Sequence, residues 1–279
     1  MNNKHVYLYG GLGNQMFQYA FYLSLKQRGI PCVLDISMYL VEKAHNGLEL
    51  FDVFGIKEDY FKAPSWLGRG YLLYQKFFIP QRSIFPEKIF TYCPDVYNTD
   101  CMYYYGCWLS EDYFKSFSDK IRDIYHFKNI DEKTHESGLE MASDNTVSLH
   151  VRRGDYLKFP RYYVCDEQYY KDAIELIKSK VENPLFFVFS DDTPWASQMM
   201  ERFKLKYKVI DFNKGIRSYQ DMFLMSKCRH HIIANSTFSW WGAWLDPRPD
   251  KIVVAPSTWF NIRQVRIDSD GWNIINVDR

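Results

Sequence analysis

No stretch of these 279 residues is apolar for long enough to cross a bilayer. The apolar run that starts at Leu12 is interrupted by Gln15, Gln18 and Ser24 and ends at Lys26 and Arg28. That is too short and too polar for a transmembrane span or a signal sequence, so a cytoplasmic location is expected. Net charge is nearly absent too: 35 basic residues are mixed with 34 acidic ones, for +1 overall. Binding nucleic acid through its phosphates needs a clustered basic excess, so that class of partner is excluded, while a local site for one diphosphate is not. Zinc spacing is missing as well. The six cysteines, at 32, 93, 101, 107, 165 and 228, form no Cys-x-x-Cys, and no histidine pairs with them to complete a zinc spacing. Without a secretory signal they are expected to be reduced thiols rather than disulfides. No internal repeat or low-complexity tract occurs.

What the chain does have is aromatic bulk, 22 Tyr, 21 Phe and 8 Trp. Aromatic faces stack on sugar rings and equally fill a bulky core, so composition alone does not choose between them. The length suits one large domain or two modest ones.

Along the chain, Val6–Tyr9 is a strand-like run, Gly10-Gly11-Leu12-Gly13 turns the chain, and Asn14 to Arg28 approximates helical periodicity up to Gly29. Pro31–Ile36 reads as a second strand, which makes a βαβ opening. From about Tyr39 to Asn145 the pattern is irregular, although Ser110-Glu111-Asp112 looks like a capped helix start. A domain boundary is expected at 145/146. Beyond it, strands at Val147–Val151, Leu185–Phe189, Tyr207–Asp211, Ile232–Ala234 and Ile252–Ala255 alternate with helices. That alternation means a parallel sheet covered by helices, and two such α/β domains would leave a cleft for ligands.

Six segments are candidates for chemistry. Gly10, Gly11, Gly13, Asn14 and Gln15 open a helix directly after a strand, which allows close backbone approach to an anion or makes a tight turn with a cap. The dinucleotide fingerprint would need glycine at 16, where Met16 stands, and no Gly-Lys-Ser/Thr follows, so a Rossmann oxidoreductase is disfavoured. His150-Val151-Arg152-Arg153-Gly154-Asp155-Tyr156 stands at a strand's carboxyl end, where open α/β sheets bind ligands. His150 and Arg152 share a face there, and Arg153 points elsewhere. The fork of Arg152 suits phosphate oxygens, and Asp155 either holds that arginine or takes a proton from an acceptor hydroxyl. Ser190, Asp191 and Asp192 follow another strand, placed to accept from ribose or guanine, or to cap the next helix. Asn235, Ser236, Thr237, Phe238 and Ser239 open a helix whose hydroxyls and N–H groups make a phosphate site without a metal. The tryptophans after them read as core. Asp268-Ser269-Asp270 matches the short Asp-x-Asp pattern of metal-dependent glycosyltransferases but lies in a polar tail, and reads as a solvated turn. His230-His231 reads as a strand edge rather than a metal site.

Taken together, GGLGNQMFQYAF at 10–21, VSLHVRRGDYL at 147–157, FVFSDD at 187–192 and NSTFSWWGAWL at 235–245 resemble the alpha-1,2-fucosyltransferases, glycosyltransferase family 11. The resemblance brackets nearly the whole chain, apart from residues 40–145. It implies a GT-B-like α/β fold of two Rossmann-like domains facing a central cleft, 1–145 on the acceptor side and 146–279 binding GDP-fucose. It implies inverting, metal-independent transfer of L-fucose from GDP-β-L-fucose to the 2-hydroxyl of a galactoside in bacterial polysaccharide biosynthesis, with no cofactor. Arg152 would hold the β-phosphate with help from Ser236, Thr237 or Ser239. His150 and Asp221 would lie near the guanine, Asn14 would approach fucose or acceptor, and Asp155 would be the base. A lipid-linked acceptor would bring the enzyme to the inner face of the membrane. A fucosyltransferase of another linkage, or a non-catalytic nucleotide-sugar or glycan-binding protein, would use the same residues.

Overall fold

The computed structural model describes residues 3–41, 45–87, 90–162, 164–261 and 265–277. They fall into two compact units, Met1–Lys128 and Asn129–Arg279. The division comes before the 145/146 boundary drawn from composition. The polar stretch between contains a helix, α5 (Glu132–Met141), that packs on a later helix of the second unit.

In the first unit, β1 (Lys4–Tyr7), β2 (Cys32–Asp35), β3 (Tyr60–Phe61), β4 (Ile84–Pro86) and β5 (Tyr103–Tyr105) form one parallel sheet in the order β3-β2-β1-β5-β4. Helix α1 (Leu12–Gln27) follows β1, and the short α2 (Leu50–Phe54), α3 (Tyr71–Phe78) and α4 (Ser118–Ile124) come later. Residues 12–25 of α1 are almost all buried, which is why its apolar periodicity is blurred in the sequence. The three strands in the region read as irregular are only two or three residues long, too short to show an alternating pattern.

In the second unit, β6 (Thr146–Val151), β7 (Leu185–Ser190), β8 (Tyr207–Ile210), β9 (His230–Ile232), β10 (Val253–Pro256) and β11 (Asn273–Ile275) are again all parallel. The helices are α5 (Glu132–Met141), α6 (Glu167–Lys180), α7 (Thr193–Arg202), α8 (Tyr219–Lys227) and α9 (Thr237–Trp244). Caps set several of their starts: Asp166 accepts from the Tyr169 N–H at 2.8 Å, and Asp192 from the Trp195 N–H at 3.2 Å with Pro194 in the first turn. Val147, Leu149 and Val151 of β6 pack into a core with α6 and α7, while Phe187 and Phe189 of β7 pack with Met141, Leu224 and Met225. Trp240, Trp241 and Trp244 of α9 are core residues.

Strand order is the feature that matters for function. It runs β11-β10-β9-β6-β7-β8. The chain moves outward from β6 through β7 to β8, then returns to the other side of β6 for β9. The order therefore reverses between β6 and β9, and the crevice outside their carboxyl ends is where such sheets bind ligands.

Candidate functional site

The two strands that flank this reversal end in the two segments singled out above. After Val151 the chain turns sharply, and a Cβ on Gly154 would stand 2.7 Å from Asp191 Oδ2, so a side chain there would push that carboxylate aside. The Arg152 guanidinium reaches Asp155 Oδ1 at 2.6 Å through Nη2 and Asp191 Oδ2 at 3.1 Å through Nη1, with the Tyr156 ring 5.3 Å away. Two carboxylates thus fix the plane of its fork. Arg153 goes the other way. Its Nε donates to Asp192 Oδ2 at 3.1 Å, its guanidinium lies 4.0 Å from the Trp195 ring centroid, and its backbone N–H donates to Asp191 Oδ1 at 2.8 Å.

Ser190, Asp191 and Asp192 are thereby distinguished. Asp192 caps α7 and pairs Arg153, Ser190 Oγ accepts from the Asp192 N–H at 2.9 Å, and Asp191 braces the 152–154 turn.

His150, one residue before the strand end, is buried beside Phe238, with ring centroids 6.2 Å apart. Burial, reinforced by Arg152 and opposed by Asp191, pushes its pKa down to about 4, so it is a neutral imidazole at physiological pH. Its Nδ1 is buried without a hydrogen-bond partner among the described residues. Such an orphan is costly unless something supplies the missing bond.

Beyond β9, Asn235 is an internal stitch: its Nδ2 donates to the carbonyls of Tyr162 at 2.8 Å and Trp259 at 3.0 Å, and its carbonyl accepts from the Tyr156 hydroxyl at 3.2 Å. This ties the β9 loop to the loop after β6. Ser236 is the N-cap of α9 yet makes no side-chain cap hydrogen bond, and the helix has no acidic residue in its first turn. Ser239 Oγ donates back to the Ser236 carbonyl at 3.3 Å. Thr237 and Phe238 are half-buried in the same turn. The positive end of α9 and Arg152 therefore follow the carboxyl ends of adjacent strands, about 4.8 Å apart. That is a place for an anion.

Asp221 lies in the first turn of α8, after the carboxyl end of β8, and Ile210, Phe189 and His150 stand level across the three strands. Burial raises its pKa to about 7 against the lowering effect of Asn213, whose Nδ2 donates to Oδ1 at 2.9 Å, with Asp211 pushing further upward.

In the first unit, Gly10 has φ +78°, a conformation that favours glycine, and a Cβ there would meet Asn14 Nδ2 at 2.9 Å. Gly11 is the N-cap of α1, and Gly13 is buried within its first turn. Asn14 donates its backbone N–H to the Gly11 carbonyl at 3.0 Å. Gln15 is fully buried: Nε2 donates to the carbonyls of Gly10 at 2.9 Å and Gly47 at 2.8 Å, while Oε1 accepts from the N–H groups of Glu49 and Leu50, both at 3.0 Å. Gln18 does the same for the next turn, accepting from the Tyr9 N–H at 3.0 Å and donating to Gly106 at 3.2 Å. Sequence reasoning missed this bracing role, although two amides three residues apart in an apolar helix were the available signal. It missed Glu87 outright, whose carboxylate accepts from the N–H groups of Cys107, Trp108 and Leu109.

Two other segments are assigned by their partners. Asp268 takes a two-pronged ion pair from Arg266, at 3.0 and 2.6 Å. His231 is no strand-edge residue: β9 lies between β10 and β6, and the buried ring bonds Ser148 Oγ at 2.9 Å and Asp246 Oδ2 at 3.1 Å. An edge could not be told from a centre without the strand order. No group of three or more His, Cys, Asp or Glu able to hold a metal occurs among the described residues, and the six cysteines are free thiols.

The sequence profile of glycosyl transferase family 11 matches residues 2–276. An alpha-1,2-colitosyltransferase of Escherichia coli is 33% identical over 267 residues, 91% of each chain. An O-antigen biosynthesis glycosyltransferase of the same species, WbnK, is 32% identical over 302 residues, 95% of this chain and 98% of that one. Among solved structures, fucosyltransferase NodZ from Bradyrhizobium superposes with a TM-score of 0.53 at 16% identity, covering 88% of this chain and 94% of that one. At that identity the likeness speaks for the fold alone, a GT-B-like pair of parallel-sheet α/β units.

Proposed function

The chain belongs to glycosyl transferase family 11, and on that premise we propose that it transfers L-fucose from GDP-β-L-fucose to the 2-hydroxyl of a galactoside, with inversion and without a metal, in the synthesis of a bacterial surface glycan. The observation that carries this reading is the pairing, across the β6/β9 reversal, of the carboxylate-braced Arg152 with the α9 N-terminus.

The donor's diphosphate lies against these two positive groups. As the bond from fucose to the β-phosphate lengthens, charge builds on the departing GDP and the sugar becomes oxocarbenium-like. Arg152 and the α9 N–H groups, with Ser236, Thr237 and Ser239, stabilise that charge where other transferases use a divalent cation. The acceptor hydroxyl attacks the opposite face. Asp155 serves chiefly to aim Arg152, since its Oδ1 is committed to that guanidinium. The acceptor oxygen, acidified as the new C–O bond forms, gives its proton to solvent. His150 meets the nucleotide through Nδ1, and Asp221 accepts from the N1–H and N2 amino group of guanine.

Donor identity is the finer question, because the more similar relative is named for colitose, which is fucose without the 3-hydroxyl. The test is incubation with GDP-fucose or GDP-colitose and a panel of β-galactosides in the presence of EDTA, with the product linkage read by NMR. An α-1,2-linked fucoside is the expected product. Turnover of GDP-colitose alone would refute the donor, an α-1,3 or α-1,6 product the linkage, and inactivity with EDTA the metal-free chemistry.

The Asp221 assignment has its own pH signature. With its pKa raised to about 7 in the free protein, Asp221 must be ionised to accept both guanine donors. Guanine binding favours the charged form and so strengthens as pH rises through 7. GDP-fucose itself does not titrate in that range. Its affinity should fall about tenfold per pH unit below 7, and the slope should vanish in Asp221→Asn. An identical slope in that variant, measured by calorimetry, would remove Asp221 from the guanine site.

A further inference from the structure

Helix α3 uses one face to hold on to its sheet and leaves the other bare. Tyr71, Gln75 and Ile79 point inward: the Tyr71 hydroxyl is 3.4 Å from that of Tyr7, and Gln75 Nε2 donates to the same Tyr7 oxygen at 3.0 Å. Opposite them Leu73 is 60% exposed and Phe77 72%, and Phe78 nearby is also 72%. In the preceding turn Trp66 is 82% exposed. A helix apolar on both faces, with only one packed, lacks a partner for the other.

Charge says what that partner is. Between Tyr60 and Pro86 the chain carries Lys62, Arg69, Lys76 and Arg82, all exposed, and no acidic residue, in a protein whose charge over its whole length is only +1. Of the flanking acids, Glu87 is turned to the backbone N–H groups of Cys107 to Leu109, Glu58 pairs with Lys26, and Asp59 is exposed, a single carboxylate beside four basic side chains. We propose that the outer face of α3, with Trp66 and these four basic side chains, is a docking surface for an anionic lipid bilayer. Trp and Phe side chains enter the headgroup boundary, and the Lys and Arg side chains reach lipid phosphates. A second copy of the chain would bring four like charges against four, which opposes self-association through this face.

The surface is independent of the transfer reaction, so the test does not depend on donor or acceptor. The intact protein is floated with vesicles of phosphatidylcholine and with an equal mixture of phosphatidylcholine and phosphatidylglycerol. Wild type should float with the mixture and not with phosphatidylcholine, and added salt should release it. Lys62→Glu with Lys76→Glu should lower partitioning at least about twentyfold, at roughly fivefold per charge removed. Leu73→Ser with Phe77→Ser should abolish flotation while the circular dichroism spectrum stays that of the wild type. The charge variant touches only exposed lysines and keeps the test valid if the apolar variant misfolds. Absence of wild-type flotation, or flotation that survives both variants, would overturn the proposal. So would a dimer that Leu73→Ser with Phe77→Ser dissociates, without any binding to vesicles, because that would make the occupant a second copy.

Discussion

Arg152→Ala should lower kcat/KM for transfer by about a hundred- to a thousandfold, the usual cost of losing one preorganised donor to a developing anion. The loss has two sources. The diphosphate forfeits a guanidinium, and Asp155 and Asp191, which that guanidinium holds at 2.6 and 3.1 Å, are left unpaired beside the anion they must admit. GDP should therefore bind more weakly, and bound donor should also react more slowly. Arg152→Lys restores one charge but not a planar fork able to meet two carboxylates and a phosphate together, so it should recover only part of the activity. The fold should survive, because ion pairs this near the surface contribute little to stability. Steady-state kinetics with GDP calorimetry checks this, alongside circular dichroism. Wild-type turnover by the alanine variant would take Arg152 out of the reaction.

The second large effect is on stability, in the other unit. Gln15→Ala should destabilise it by about 3 kcal/mol, since each buried group stripped of its partner costs about 1–3 kcal/mol. Three groups lose theirs: the Gly47 carbonyl and the N–H groups of Glu49 and Leu50. The Gly10 carbonyl keeps the Tyr39 hydroxyl at 3.1 Å. Gln15→Met fills nearly the same volume and should be about as damaging, which separates lost hydrogen bonds from a cavity. Urea unfolding gives the size of the effect, and hydrogen exchange at Glu49 and Leu50 gives its place. A change below about 1 kcal/mol would show that the glutamine does not brace the loop.

Both predictions rest on residues the sequence made visible for a partly different reason. Arg152 stood out because an arginine closes an apolar strand, and the structure adds the carboxylates that aim it. Gln15 stood out as part of a glycine loop open to close approach by a ligand, yet its four hydrogen bonds all run to its own unit's backbone. The tail that holds Asp268 reads only as polar, because the three residues of β11, Asn273–Ile275, carry too little pattern to announce a strand. Asp221 could be reached only through family resemblance. Nothing local marks an acidic residue in the first turn of a helix as one whose burial raises its pKa to about 7.

By itself, then, the sequence determined that the second unit is parallel α/β, that the first opens as βαβ, and which residues follow the strands that carry the candidate site. Apolar periodicity, turn glycines and helix caps act over a few residues and leave their mark along the chain. Only the tertiary structure decided that β6 and β9 are neighbours, so that Arg152 and the start of α9 lie on either side of one reversal point. It also decided that Asp191, rather than Asp192, shares Arg152 with Asp155. Strand order and long-range pairing join residues far apart in the chain, and they are fixed by which buried faces and charges can be satisfied together, a condition no local pattern records.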